Sequence, residues 1–152
     1  MGLIALFVLL YGQPVTRVVR LRIEDVLIDG DRTAVRFSAD HVDVPEPAAT
    51  LLRALIDDPR HRRNTAANQD SPWLFPGQMP GRPMHAVRAG QAIGAHGIPP
   101  RAALTATWQQ LVRQAPPSVL ARALGISPVT AMRHANRAGT DYLAYPSLKG
   151  CR

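Results

Sequence analysis

The stretch GISPVTAMRHANRAG, residues 125–139, holds the side chains best suited to chemistry on a polyanion. Thr130, Arg133, His134 and Arg137 fall at i, i+3, i+4 and i+7, a spacing that lets four polar groups share one exposed side of a helix. Arginine offers a fork of donors to phosphate oxygens or to a guanine edge, and threonine and histidine add further polar atoms beside it. Ser127 is placed to cap that helix and Pro128 to fill its first position. Upstream, Ala121 and Gly125 lie four apart, as a close helix crossing followed by a sharp turn requires. Together these residues form a helix-turn-helix pattern whose second helix is a DNA-contact candidate. The same spacing also serves a purely structural helix pair with a solvated basic face.

Other reactive patterns are missing. His41, His61, His85, His96 and His134 show no short ligand spacing, and Cys151 stands alone, so neither a zinc site nor an internal disulfide is expected. There is no glycine-rich phosphate loop followed by lysine and no serine nucleophile elbow. No metal and no cofactor are expected. The formal net charge is +7, nearly all of it arginine because Lys149 is the only lysine. Such a balance favours phosphate-rich partners, since each neutralised phosphate releases counterions; it also aids solubility by itself.

The elements that must position these groups follow from periodicity and punctuation. The 152 residues suit one domain, and apolar residues at 46% with aromatics at 5% mean that small aliphatic side chains fill most of the core. MGLIALFVLLYG is too short to span a bilayer, which takes roughly 18 apolar residues, and it lacks the basic start and cleavage site of a signal peptide. It is expected to form a buried helix ending near Gly12. A reducing cytoplasm suits the single cysteine. Pro14 opens a second helix with Val15, Val18, Val19 and Ile23 as its buried stripe. After the DGD turn signal, TAVRF and HVDV are expected to pair as a small hairpin. PAATLLRALID is helical by the spacing of Leu51, Leu52 and Leu55, and DDPRHRRNTAANQDSP is a polar loop. A weak helix spans about Met84 to Ala95. Beyond Pro100 the helices RAALTATWQQLVRQ, PSVLARALG and SPVTAMRHANRA follow, then a short DYLAYPSL. The fold class is mainly α with a small β-hairpin or sheet.

In this order the landmarks resemble the C-terminal catalytic domain of tyrosine recombinases, the phage integrase family, over nearly the whole chain. LLYGQPVTRVVRLRIEDV is similar to the first box, LLYxTGxRxSExxxLxxxDI; WLFPGQMPGRPM to the LFP segment; LARALGISPVTAMRHA to LLGHSxxxTTxxY. The resemblance implies a mostly helical domain that clasps duplex DNA and cuts one strand through a tyrosine. A phenol is a poor nucleophile near neutral pH, so it needs a base and a cationic cradle for the pentacoordinate phosphate. The family supplies two arginines, a hairpin lysine, one or two histidines and the tyrosine.

Position by position that set is largely replaced. Aligning LRIED with the first box puts Pro14 at the first arginine, with Arg17 nearly a turn further on. RTAVRFSADHV contains no lysine, and Arg36 there is a poor proton donor because of its very high pKa. Setting ALTATWQQLVRQA beneath LRHTFATxLLEAG puts Leu104 at the second arginine and Thr105 at the adjacent histidine; Ile126 replaces the histidine of the LGHS segment. The tyrosine position falls on or beside His134. The expected function is therefore an integrase-like DNA-binding domain that has lost strand cleavage, contacting DNA through Thr130, Arg133, His134 and Arg137. The resemblance further implies that the family's N-terminal core-binding domain does not precede this segment. The expected partner is DNA, with homo-oligomers on it as one option and no membrane. Three alternatives stay open: a rebuilt recombinase site using Arg17, His96, Arg101 and Tyr145, a helix-turn-helix regulator, or an interaction remnant without a nucleic-acid role.

Overall fold

A helix that is apolar on every side is driven into the core, and the first ten-residue helix buries half of its residues while leaving Leu9 40% exposed. The computed structural model describes residues 2–58 and 71–139, and in it α1 (Gly2–Tyr11) runs through the core with Leu3, Ile4, Phe7, Val8 and Tyr11 buried. Phe7 meets Phe37 and Phe75 edge-on, with ring centroids 5.8 and 6.5 Å away. The Tyr11 hydroxyl donates to the Asp43 carbonyl at 2.7 Å, which ties α1 to the sheet. Burial first, and the Asp43 carboxylate second, push this phenol up to about 12. It is the sole tyrosine among the described residues, and its burial disfavours ionisation of the phenol.

After Gly12 the chain makes one helical turn, α2 (Val15–Val18), with Pro14 at its N-cap. The expected longer helix does not form. Val18 and Val19 are buried as anticipated, but Val15 and Ile23 are only half-buried. The backbone leaves the helix to pair elsewhere: Leu74 N–H donates to the Leu21 carbonyl at 2.8 Å, and Ile23 N–H to Pro72 at 2.9 Å.

Three strands follow, β1 (Val26–Asp29), β2 (Arg32–Arg36) and β3 (His41–Asp43), antiparallel in the order β1-β2-β3. Val35 pairs with Val26 on one side and Val42 on the other. TAVRF and HVDV supply β2 and β3 as expected, and VLID adds a third strand at the edge. That strand escapes a hydrophobic-pattern reading because its Leu27 and Ile28 face outward, 38% and 44% exposed. α3 (Ala48–Asp57) forms where the leucine spacing predicts a helix and buries Ala48, Ala49 and Leu52, whereas Leu51 is 48% exposed.

Four helices complete the described chain: α4 (Ala86–Ala95), α5 (Pro100–Gln114), α6 (Pro117–Leu124) and α7 (Pro128–Arg137). Three of them begin on proline, whose missing N–H is harmless at that position. α5 lies along α1, and the Thr107 hydroxyl donates to the Leu9 carbonyl at 2.9 Å. α6 and α7 pack on α5 and on each other. Among the described residues no helix is long and apolar enough to cross a membrane.

Candidate nucleic-acid interface

α6 ends and α7 begins as a helix-turn-helix pattern demands. Gly125 takes the left-handed backbone at φ 66° that closes α6, and the Ser127 side chain accepts from Thr130 N–H at 3.2 Å to cap α7. Thr130 shares its own hydroxyl with Ser127 at 2.8 Å, so one end of the proposed contact row is held by the cap. Ala131 and Ala135 face the core and set the rotation of α7. Thr130, Arg133 and Arg137 are then exposed, together with Val129, Met132 and Asn136.

His134 does not join them. It turns inward and stacks on Trp108 of α5, centroids 5.6 Å apart and planes 22° apart, with Nδ1 buried and without a hydrogen-bond partner. Helical spacing alone placed it on the exposed row; the indole on α5 supplies an apolar surface that draws the imidazole across the boundary. Burial, and secondarily the Arg137 charge, hold its pKa below the ordinary 6.5. His134 therefore packs as a half-buried aromatic at the border of the core.

A half-buried imidazole whose burial disfavours the charged form makes stability depend on pH. Below about 6.5 the unfolded chain protonates this residue more readily than the folded chain does, so stability falls as pH drops and levels off once the folded group is protonated too. His134→Phe keeps the stack and removes the unpartnered nitrogen. Chemical denaturation from pH 8 to pH 4.5 should show the variant more stable by about 1 kcal/mol at pH 8, with the gap widening in acid. A constant gap across that range would mean that His134 does not titrate differently in the two states.

Arg17, His96 and Arg101 occupy separate environments. Arg17 reaches from α2 to the end of α6, where one nitrogen donates to the carbonyls of Leu124 and Gly125 at 3.0 and 2.8 Å. Buried Gln13 donates to the same Leu124 carbonyl at 3.0 Å. These two side chains cap α6 and lock it to α2, a structural use that its sequence position did not reveal. His96, at the C-terminus of α4, places Nδ1 2.7 Å from the Ala92 carbonyl and borders a recess against α1. Arg101 is exposed in the first turn of α5 and edges a different groove, beside Pro14, Val15 and Leu104. Tyr145 lies outside the described residues.

The distribution of charge is the feature that motif reading overlooked. No aspartate or glutamate occurs between Asp70 and Asp141, so α4 to α7 carry no carboxylate at all. The described acids lie on residues 24–58, where they engage Arg22, Arg32, Arg36, Arg53 and, from α6, Arg122. Among the described residues Arg82, Arg101, Arg113, Arg133 and Arg137 form no ion pair and no side-chain hydrogen bond. The signal was available in the sequence as an absence of acids. No protein-family model, no curated protein and no solved structure matches this chain.

Proposed function

We propose that this chain is an integrase-like DNA-binding domain, with the scaffold of a tyrosine-recombinase catalytic domain and without strand cleavage. The observation that carries the reading is the exposed arginine face of α7, Arg133 and Arg137, on a four-helix half of the chain that holds no carboxylate. Free guanidinium groups on such a surface neutralise phosphates without competition from internal acids. Loss of cleavage is supported by Pro14 and Leu104 at the family's arginine positions and by His134 packed on Trp108. Arg17, the nearest substitute, has its guanidinium engaged by the end of α6.

A second reading, a sequence-selective regulator, gains support from Val129 and Thr130 at the exposed start of α7. Helix-turn-helix proteins contact base edges with that end of the second helix, and aliphatic groups there meet thymine methyls.

Fluorescence anisotropy on a mixed-sequence duplex over a series of salt concentrations tests the DNA reading. Arg133→Ala/Arg137→Ala should weaken binding and flatten the plot of log affinity against log salt by about 0.9 for each phosphate that is no longer neutralised. A wild type that binds no better than an unrelated protein of equal charge, or a double variant with an unchanged slope, would remove the proposal. A footprint confined to one site and abolished by Arg133→Ala would favour the regulator. Incubation with nicked plasmid should trap no covalent protein-DNA adduct; an adduct would restore the rebuilt-enzyme alternative.

A further inference from the structure

The segment before α4 is a rigid hairpin. Met84 N–H donates to the Phe75 carbonyl and Gly77 N–H to Arg82, both at 2.8 Å, with Pro76 and Pro83 bridged across it. Gly77 permits this approach, since a Cβ there would sit 2.6 Å from the Pro83 carbonyl oxygen. Trp73 anchors the turn by donating from its indole to the Gly81 carbonyl at 2.9 Å, and the Arg22 guanidinium lies 5.3 Å from the centre of the Trp73 ring. Three prolines, at 76, 80 and 83, further restrict the backbone.

Between this hairpin and α4 opens a recess of about 650 Å³, within the usual size range of small-molecule sites. Pro76, Met84 and Ala92 line its apolar part, while Arg82, His85 and Arg88 supply its basic lining. Arg88 donates to the neutral Gln78 oxygen at 2.9 Å, which leaves its other donors open. Arg82 and His85 form no side-chain hydrogen bond or ion pair among the described residues. No acid from this half of the chain opposes them. Met79, 70% exposed at the hairpin turn, adds a polarizable thioether at the border, a group that makes favourable contacts with aromatic rings.

We infer that this recess binds a nucleoside phosphate unit, its base on the methionine and proline surface and its phosphate between Arg82 and Arg88. Apolar lining by itself would suit a neutral ring, and two arginines by themselves would suit inorganic phosphate; their juxtaposition selects the two joined. The unit can be a free mononucleotide or an unpaired nucleotide of a strand. The site is separate from the α7 face and does not rest on the DNA reading made there.

Calorimetric titration of the intact chain at low salt with adenosine monophosphate, adenosine, inorganic phosphate and a five-nucleotide single-stranded DNA tests it. The monophosphate or the oligonucleotide should bind at least about tenfold more tightly than either adenosine or phosphate, and Arg82→Ala/Arg88→Ala should remove about tenfold or more of that affinity. Both arginines are exposed, so circular dichroism should show the double variant folded as the wild type. Arg133→Ala/Arg137→Ala should leave monophosphate binding unchanged, which separates this site from α7. Binding of the oligonucleotide alone would assign the site to strands, and binding of both would admit the free nucleotide. Absence of binding by both, or equal binding to the folded Arg82→Ala/Arg88→Ala variant, would overturn the assignment.

Discussion

Trp108→Ala is expected to destabilise the chain by about 3–5 kcal/mol, the range for truncating a buried tryptophan. The side chain is 3% exposed and joins three elements. From α5 its indole N–H donates to the Gly12 carbonyl at 2.8 Å, holding the turn after α1, and its ring carries His134 of α7. Truncation therefore opens a cavity, orphans a carbonyl and removes the surface on which α7 rests. Since domains of this size are stable by only about 5–15 kcal/mol, the urea midpoint should fall by about a fifth or more. Trp108→Phe separates the contributions: it keeps much of the stack and loses the hydrogen bond, for about 1–2 kcal/mol. An alanine variant unfolding at the wild-type midpoint would show that α7 is not anchored through this ring.

How α7 is anchored also marks the limit of what the sequence could reveal. Ser127, Pro128 and Gly125 announced the turn and the start of α7 because caps and left-handed turns are local chemistry, written within a few residues. Prolines announced α5 and α6 in the same way. The rotation of α7 was not local. An imidazole at i+4 from Thr130 fits an exposed row or a buried one, and the choice is made by an indole on another helix. Arg17 is the same case: an arginine free to bind phosphate is indistinguishable, in sequence, from a cap for a helix end more than a hundred residues away. β1 was missed because its leucine and isoleucine face outward at a sheet edge, so burial left no pattern on them. The carboxylate-free half was legible throughout and needed only a count of where acids are missing. Its arginines bear on the two proposed phosphate sites, the α7 face and the hairpin recess.

Gly125→Val is expected to be the most damaging single change at the turn between α6 and α7. At φ 66° a β-branched residue is strained, and left-handed backbone already costs an L-residue about 1–2 kcal/mol. Its Cβ would also lie 2.6 Å from a guanidinium nitrogen of Arg17 and 2.8 Å from the Ser38 Cβ. Arg17 can relieve the first overlap only by leaving the carbonyls of Leu124 and Gly125, for about 1–3 kcal/mol more; the Ser38 contact persists unless the backbone moves. A loss of about 3 kcal/mol or more follows, visible as a lower melting temperature. Gly125→Ala carries the same two overlaps with a smaller side chain, which makes it suitable for a double-mutant cycle with Arg17→Ala. Each single variant sacrifices the Arg17 cap, and the pair sacrifices it once, so the combined loss should fall short of the sum by about 1 kcal/mol or more. Strict additivity would mean that Arg17 does not hold the end of α6, and would reopen its use as a phosphate ligand.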